Sequence, residues 1–266
     1  MPPLTEYDKT VLSHQPKHFY PALSGQTWPD SIGDADGRFF NGRGESTMPD
    51  GSVAPHFDGA TQWARMPDRS AFGPAGAATA WTVTCWVRPR VLRQVNDRSE
   101  GYVHWIGKKN EWLSRIYNDN AMKDGEPYRQ NWLSCYVFDP DEQFGAGQRY
   151  EDGFQAREWL HVAFVVRTDE RRQCGLFVNG RQSRGWASLE DNEGSVQFDV
   201  RPINTTAPLI VGRDSTLGSD GKPRSWFRGA VGKPAFFTYD LSAYGVSAEY
   251  PAGRITQQAL IGRTKG

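Results

Sequence analysis

The sequence predicts an all-β domain, an antiparallel two-sheet β-sandwich, and three observations carry that prediction. The first is the run at 159–166. Leu160, Val162, Phe164 and Val166 share one face of an extended strand, and Trp159, His161, Ala163 and Val165 share the other, because side chains alternate with a period of two. A strand largely apolar on both faces belongs at the centre of a covered sheet. The second is the return run through Cys174, Leu176 and Val178 to Asn179-Gly180. Both turn positions tolerate positive φ, so Asn-Gly predicts a two-residue hairpin. The third is punctuation: 28 Gly and 17 Pro are scattered between strand-like runs, as a fold with many tight turns requires.

The remaining elements follow in order. Residues 1–10 are expected to fray. Residues 18–23 read as a first strand, followed by an Asp-, Gly- and Ser-rich loop over 25–37. Paired strands flank Asp58-Gly59 and end near Met66, and a Gly/Ala loop over 71–80 leads into a strand at 81–88. Residues 102–108 and 112–118 make a hairpin around Lys109-Asn110, and 131–139 is another strand. Pro140 suits a strand end because it brings no N–H to a ladder, so the acidic, Gly-rich stretch 140–155 reads as a long loop. Long connections over 182–207 and 214–225 surround a strand at 209–213. Residues 227–239 carry the last strands, and 254–261 suggests a short terminal helix. Without a linker, low-complexity tract or internal repeat, residues 1–266 read as one domain, its core over about 11–250 and a tail at 251–266.

Several blocks, in order, resemble one family. They are Phe57-Asp58-Gly59-Ala60 with Met66-Pro67-Asp68, the run from Trp81 to Pro89 with Trp86 inside it, Trp159-Leu160-His161-Val162-Ala163 with Phe177-Val178-Asn179-Gly180, Leu209-Ile210-Val211-Gly212, and Phe227-Arg228-Gly229 through Tyr239-Asp240-Leu241-Ser242. Together they look like the laminin-G-like jelly-roll domain of the concanavalin A-like lectin/glucanase superfamily. The resemblance implies a jelly roll whose long loops border a ligand-binding rim. The family is permissive in function, so it constrains the fold more than the activity.

Composition narrows the partners. Lys and Arg number 31 and Asp and Glu 31; without a cationic excess to release counterions, nucleic acid is not an expected partner. No apolar run is long enough to span a bilayer. Residues 1–16 are polar and lack the apolar stretch of a secretory signal. Cys85, Cys135 and Cys174 each sit within a strand-like run, and an odd count argues against a disulfide framework and fits a reducing compartment such as the cytoplasm. Export by a non-standard route or residence in a particle would also suit the missing signal.

Aromatics supply the leading functional candidates, because 10 Trp exceed what a core of this size calls for. The apolar C–H face of a sugar fits a flat, rigid ring. Trp105, Trp112, Tyr117, Tyr128, Trp132, Tyr150, Trp186 and Trp226 lie in or beside long loops, as does Trp28, whereas Trp63, Trp81, Trp86 and Trp159 occupy strand positions expected to be core. Arg115, Arg129 and Arg213, with Arg149 and Arg224, are interleaved with those aromatics. An arginine fork matches a carboxylate, so an acidic glycan is one reading of them; a solvated strand edge is the other. The expected function is non-catalytic recognition of a polysaccharide or cell-surface glycan, with weak single sites multiplied in a homo-oligomer or larger assembly.

A calcium ion is a further candidate. Asp30, Asp34 and Asp36 place three carboxylates on a turn-rich loop, as a hard cation wanting six to eight oxygens requires. The family resemblance points the other way, because the position of its acidic pair is here Lys233-Pro234. The superfamily's glucanase and lyase strand motifs are missing, so no catalytic residue is assigned. Two alternatives stay open: a divergent polysaccharide lyase or glycoside hydrolase using Glu151, Asp152, His104 or Tyr117, and a structural or adhesion component of a phage or contractile-injection particle.

Overall fold

The computed structural model describes residues 3–91, 102–117, 122–123, 126–127, 132–140, 144–191 and 198–254. Helix α1 (Glu6–Ser13) precedes β1 (His18–Phe19), β2 (Thr27–Trp28), β3 (Gly37–Phe40), β4 (Gly44–Thr47), β5 (Val53–Asp58) and β6 (Trp63–Met66). Then come β7 (Ala80–Pro89), β8 (Tyr102–Val103), β9 (Ile106–Lys108), β10 (Trp112–Tyr117), β11 (Met122–Lys123) and β12 (Glu126–Pro127). They are followed by β13 (Leu133–Phe138), β14 (Gly145–Tyr150), β15 (Leu160–Arg167), β16 (Gln173–Val178), β17 (Arg181–Gln182) and β18 (Ala187–Ser188). The chain continues through β19 (Glu190–Asp191), β20 (Phe198–Asp199), β21 (Leu209–Val211) and β22 (Arg228–Phe237) to α2 (Ser242–Ala252).

Two antiparallel sheets result, as the sequence predicts. Sheet A runs β17-β16-β15-β7-β22-β5-β4, with β1 beside β22 and β18 beside β16. Sheet B runs β14-β13-β10-β9-β21-β6-β3-β2, with β8 beside β10. The chain crosses between them at β1–β2, at β3–β4, at β5–β6–β7–β8, at β14–β15 and from β18 to β21 and β22, giving a jelly roll. Trp81, Phe164 and Phe236 of sheet A share one core with Trp112, Ile116, Leu133 and Val137 of sheet B; the Trp81 and Trp112 rings lie 4.9 Å apart across the interface.

The central strand behaves as its pattern requires. β15 lies between β7 and β16, and Asn179 (φ 52°) and Gly180 (φ 77°) form the tight turn into β17. The second apolar face of sheet A is covered by helices. Ala163, Val165, Trp86, Phe177 and Phe237 pack beneath Tyr7 and Val11 of α1 and Leu241 and Val246 at α2. Trp81 and Trp86 are core residues as expected, whereas Trp63 and Trp159 are only half-buried.

Four expectations change. Residues 6–10 are helical rather than frayed. Thr5 caps α1, its hydroxyl accepting from the Asp8 N–H at 3.2 Å while its own N–H donates to the Asp8 carboxylate at 2.8 Å, a capping box. The C-terminal helix is Ser242–Ala252, earlier than the expected 254–261, of which residues 255–261 lie outside the described residues. The strands around Asp58-Gly59 do not pair with each other: β5 pairs with β22 and β6 with β21. The Asp58 carboxylate turns the chain between sheets by accepting from the N–H groups of Ala60, Thr61 and Gln62. The stretch 140–155 is not all loop, because β14 pairs with β13 over six residues.

A bulge in β22 ties these layers together. Its register with β7 shifts between Gly232 and Ala235, and Lys233 there has φ 50°. Pro234 brings no N–H to the interrupted ladder. The bulge sends the Lys233 side chain outward beneath α1, where it is 2% exposed. Its ammonium donates to Asp8 Oδ1 and Asp50 Oδ2, both at 2.6 Å, and to Thr5 Oγ1 at 3.1 Å. Burial pushes the Asp50 carboxyl up, but the Lys233 charge and the hydrogen bonds from Lys233 and Ser52 together outweigh it and hold the group below the ordinary carboxylate range. Lys233→Met strands two enclosed carboxylates and is expected to cost about 3–5 kcal/mol in urea unfolding, because removing one partner leaves buried charge uncompensated. The contribution of Asp50 is present above the ordinary carboxylate range and is lost as pH falls through its depressed folded value. An acid titration of stability that Lys233→Met leaves unaltered would contradict this assignment.

Candidate functional site

Sheet A is covered by helices on its second face; the face of sheet B turned away from the core carries the half-buried Tyr102, Arg115, Trp132, Tyr136 and Arg149, with Tyr117, Ser134 and Phe138 buried among them. On β10, Trp112 and Ile116 point into the core, and on β13 Leu133, Cys135 and Val137 do. Alternation turns Leu113, Arg115 and Tyr117 outward on β10, and Ser134, Tyr136 and Phe138 outward on β13. Register places Leu113 opposite Tyr136 and Arg115 opposite Ser134, and Ser134 opposite Arg149 of β14. Tyr102 of β8 stands opposite Tyr117.

The result is an aromatic field around one guanidinium. Arg115 Cζ lies 4.6 Å from the Tyr102 ring centre, 4.8 Å from that of Tyr136 and 5.5 Å from that of Phe138. Tyr136 and Phe138 are stacked at 6.2 Å. Tyr117 meets Trp132 edge-on at 6.3 Å, and Arg149 lies over Trp132 at 5.5 Å. Cation–π interactions of this kind hold a cation in place, contributing about 0.5–2 kcal/mol. Two glycines make room for the rings. A Cβ on Gly145 would lie 2.6 Å from Phe138, and one on Gly147 would lie 2.6 Å from Tyr136 and 2.3 Å from the Cys135 carbonyl. That is the physical content of the Gly-rich stretch.

Beneath the rings lie polar atoms without protein partners. Arg115 Nε and Ser134 Oγ are enclosed and make no hydrogen bond, and neither does either ring nitrogen of His104. His104 is 2% exposed, with the Tyr102 ring 5.4 Å away and Asp214 Oδ2 at 3.9 Å. Burial holds its imidazole down at about 4, against the opposing pull of Asp214. Burial likewise pushes the Tyr136 phenol up, with the Tyr117 hydroxyl adding to the shift and Arg115 opposing it.

The structure therefore gathers Arg115, Tyr117 and Trp132 on one face, and disperses the other candidates. Trp105 and Trp112 are corrected to core residues, 0% and 1% exposed. Trp112 opens β10 on its inward parity and donates its indole N–H to the Phe72 carbonyl at 2.6 Å. Trp28 is also core, donating to the Tyr20 carbonyl. Trp186 packs on the far side of the molecule, over Gly175 and Phe177 of sheet A, with Arg167 stacked 3.5 Å from its ring centre. Arg213 is buried over Trp63 at 4.2 Å, and its guanidinium donates to the Asp214 carbonyl. Trp226 is half-buried beside Ser225, whose carbonyl accepts from the His104 N–H. Tyr150 lines a separate groove of about 490 Å³ between the Asn179-Gly180 turn and the end of α2, together with Tyr250, Arg181 and Arg254. Tyr128 and Arg129 lie outside the described residues. Tyr102, Ser134, Tyr136 and Phe138 carry no loop signal; only the strand alternation of 133–138 opposite the glycines of 145–147 could have exposed them.

Asp30, Asp34 and Asp36 do not converge as a cation cage. Burial pushes the Asp30 carboxyl up, but His18 at 2.6 Å and the N–H groups of Gly33 and Phe19 outweigh it and hold the group down at about 2. Asp34 accepts from Arg69 at 2.6 Å and Asp36 from the Asp30 N–H at 2.8 Å. These oxygens are spent on fixing the loop. No group of three or more His, Cys, Asp or Glu suited to a metal ion occurs among the described residues. Of the catalytic candidates, His104 and Tyr117 both meet the Tyr102 ring, at 5.4 and 6.4 Å, whereas Glu151 is tied to Arg149 and Arg184 and Asp152 lines the groove beside Tyr150.

No protein-family model matches the chain, and no curated protein matches it in sequence. Solved structures do. Domain 4 of an extracellular GH43 arabinanase from Geobacillus stearothermophilus, in complex with arabinotriose, is similar at TM-score 0.56 and 14% identity, over 88% of this chain and 98% of that one. The receptor-binding domain of the botulinum neurotoxin C/D mosaic serotype is similar at TM-score 0.61 and 11% identity, over 90% of this chain and 51% of that one. The ligand-binding domain of botulinum neurotoxin serotype D, in complex with N-acetylneuraminic acid, gives TM-score 0.61 and 12% identity over 91% and 52%. The chain spans about half the length of the neurotoxin domains it matches. At these identities the likeness establishes the fold.

Two outcomes follow from this geometry. Gly147→Ala drives a methyl into backbone and ring together and is expected to destabilise by roughly 1–3 kcal/mol, with the near-ultraviolet tyrosine signal changed. His104 titrates lower in the folded chain, at about 4, than its ordinary 6.5. The unfolded chain then binds the proton first, so stability is full above the ordinary value and falls between it and about pH 4. Urea unfolding across that window should show the decline, and His104→Phe should flatten it.

Proposed function

We propose that the outer face of sheet B is a glycan-binding surface and that the protein acts as a non-catalytic carbohydrate-recognition module. The observation that carries this reading is the field formed by Tyr102, Tyr117, Trp132, Tyr136 and Phe138 around Arg115, over polar atoms that find no protein partner. The half-buried rings of Tyr102, Trp132 and Tyr136 offer flat faces to sugar C–H groups, with Tyr117 and Phe138 buried behind them. Because they stand on paired strands, few rotors remain to be frozen on binding. The similar folds seen with arabinotriose and N-acetylneuraminic acid support the reading, and the order of the sequence motifs supports a laminin-G-like relationship.

One face of this size gives weak binding, with a dissociation constant on the order of 1 mM to 1 μM, or about −4 to −8 kcal/mol. Presentation in several copies, as a homo-oligomer or within a larger assembly, would supply the avidity. Calcium is not part of the proposed surface, because the expected aspartates are engaged by His18, Arg69 and backbone.

A glycan array, with calcium and with EDTA, tests the proposal. Binding is expected under both conditions. Trp132→Ala and Tyr136→Ala should each weaken it about ten-fold, the scale expected when one stacking ring is removed from a small site, while Trp186→Ala on the opposite side should leave it unchanged. Silence across the array, or retention by both face variants, would defeat it.

A further inference from the structure

We infer that the glycan taken by this face is acidic, with Arg115 as the seat of its carboxylate; the inference rests on the glycan-binding reading of sheet B. Several arginines elsewhere are neutralised by a carboxylate: Arg43 pairs with Glu45, Arg69 with Asp34, Arg167 with Asp240, Arg171 with Asp169 and Arg184 with Glu151. Arg115 instead is held by rings, as Arg213 is over Trp63. Among the described residues no carboxylate pairs with Arg115.

The rings around Arg115 fix its position without meeting its hydrogen-bonding needs. A guanidinium has five N–H donors in one plane and no acceptor, and π faces engage its charge while leaving those donors unspent. The neighbouring atoms agree. Ser134, directly opposite on β13, is 0% exposed with a hydroxyl that has no partner. Arg149, the next residue in the same cross-strand row, brings a second guanidinium onto the same face over Trp132, held from its far side by Glu151. The row Arg115–Ser134–Arg149 thus sets two half-buried guanidiniums among the rings, on either side of an enclosed serine.

A uronate or sialate fits that row in both of its chemical parts. Its carboxylate is a planar two-oxygen acceptor that matches an arginine fork with two parallel bonds. Its ring presents C–H faces to the half-buried Tyr136, Tyr102 and Trp132. A neutral hexose uses the rings alone and leaves the fork unfilled.

The test compares polygalacturonate, its carboxyl-reduced neutral counterpart and polysialic acid, titrated calorimetrically into the whole chain and into Arg115→Gln, Arg115→Lys and Trp132→Ala. The wild type is expected to bind at least one acidic polymer ten-fold or more tighter than the reduced polymer, and the preferred acid separates uronate from sialate. Arg115→Gln should erase that preference while neutral binding persists, and Trp132→Ala should weaken both. Thermal melting checks that Arg115→Gln folds. If it does not, Arg115→Lys carries the test, because it keeps the charge, loses the fork and should lose most of the preference. Equal binding of acidic and reduced polymers, or a preference that survives both Arg115 variants, overturns the inference while a Trp132→Ala effect leaves the glycan-binding face standing. Silence toward all three polymers overturns both.

Discussion

One buried ammonium group organises the surroundings of sheet A. Lys233 Nζ is enclosed by Asp8 from α1, Asp50 from the β4–β5 turn and Thr5 at the helix cap. It reaches them only because β22 bulges there and the lysine adopts a left-handed backbone. Desolvating three charges is costly, and the arrangement persists because each finds its partner at hydrogen-bonding distance. The family resemblance leads one to expect an acidic pair and a metal at this position. Here a covalently attached cation bridges the same kinds of oxygen, so helix, turn and bulge are joined by the chain itself.

A second buried set acts in the same way nearby. Glu249 of α2 is 0% exposed and meets His161 of β15 at 3.2 Å and His14 beyond α1 at 3.3 Å. Burial pushes its carboxyl up, but the two imidazoles outweigh that and hold it down. The two helices are thereby fastened over sheet A, and its outer face becomes interior. Among the described residues, the half-buried aromatics Tyr102, Trp132 and Tyr136 lie on the opposite sheet, on or beside β8 and β13.

Much of this is legible without the structure. The two-faced apolarity of 159–166 places β15 at the centre of a sheet, and Asn179-Gly180 marks the turn from β16 into β17, because both signals are local. Arg115, Tyr117 and Trp132 stand out for a sound reason, being aromatics and arginine beside long connections. Trp105 and Trp112 look identical by that criterion and are core, since a loop neighbour's direction depends on the parity at which the strand begins. Tyr136 and Phe138 escape notice for the converse reason. They read as an ordinary strand, and the room for their rings depends on Gly145 and Gly147 lying across from them.

Local signals in the chain are enough to set the class of fold, the central hairpin and the kinds of side chain suited to a sugar, because periodicity, turn chemistry and composition act over a few residues. Tertiary packing settles which face stays open, which tryptophans point inward, and that Arg115 lies among three rings without a carboxylate. It also commits Asp30, Asp34 and Asp36 to the loop rather than to an ion. Those outcomes depend on registers between strands as distant in sequence as those of His18 and Phe236, and on partners such as Asp8 and Lys233, 225 positions apart, whose meeting no local pattern specifies.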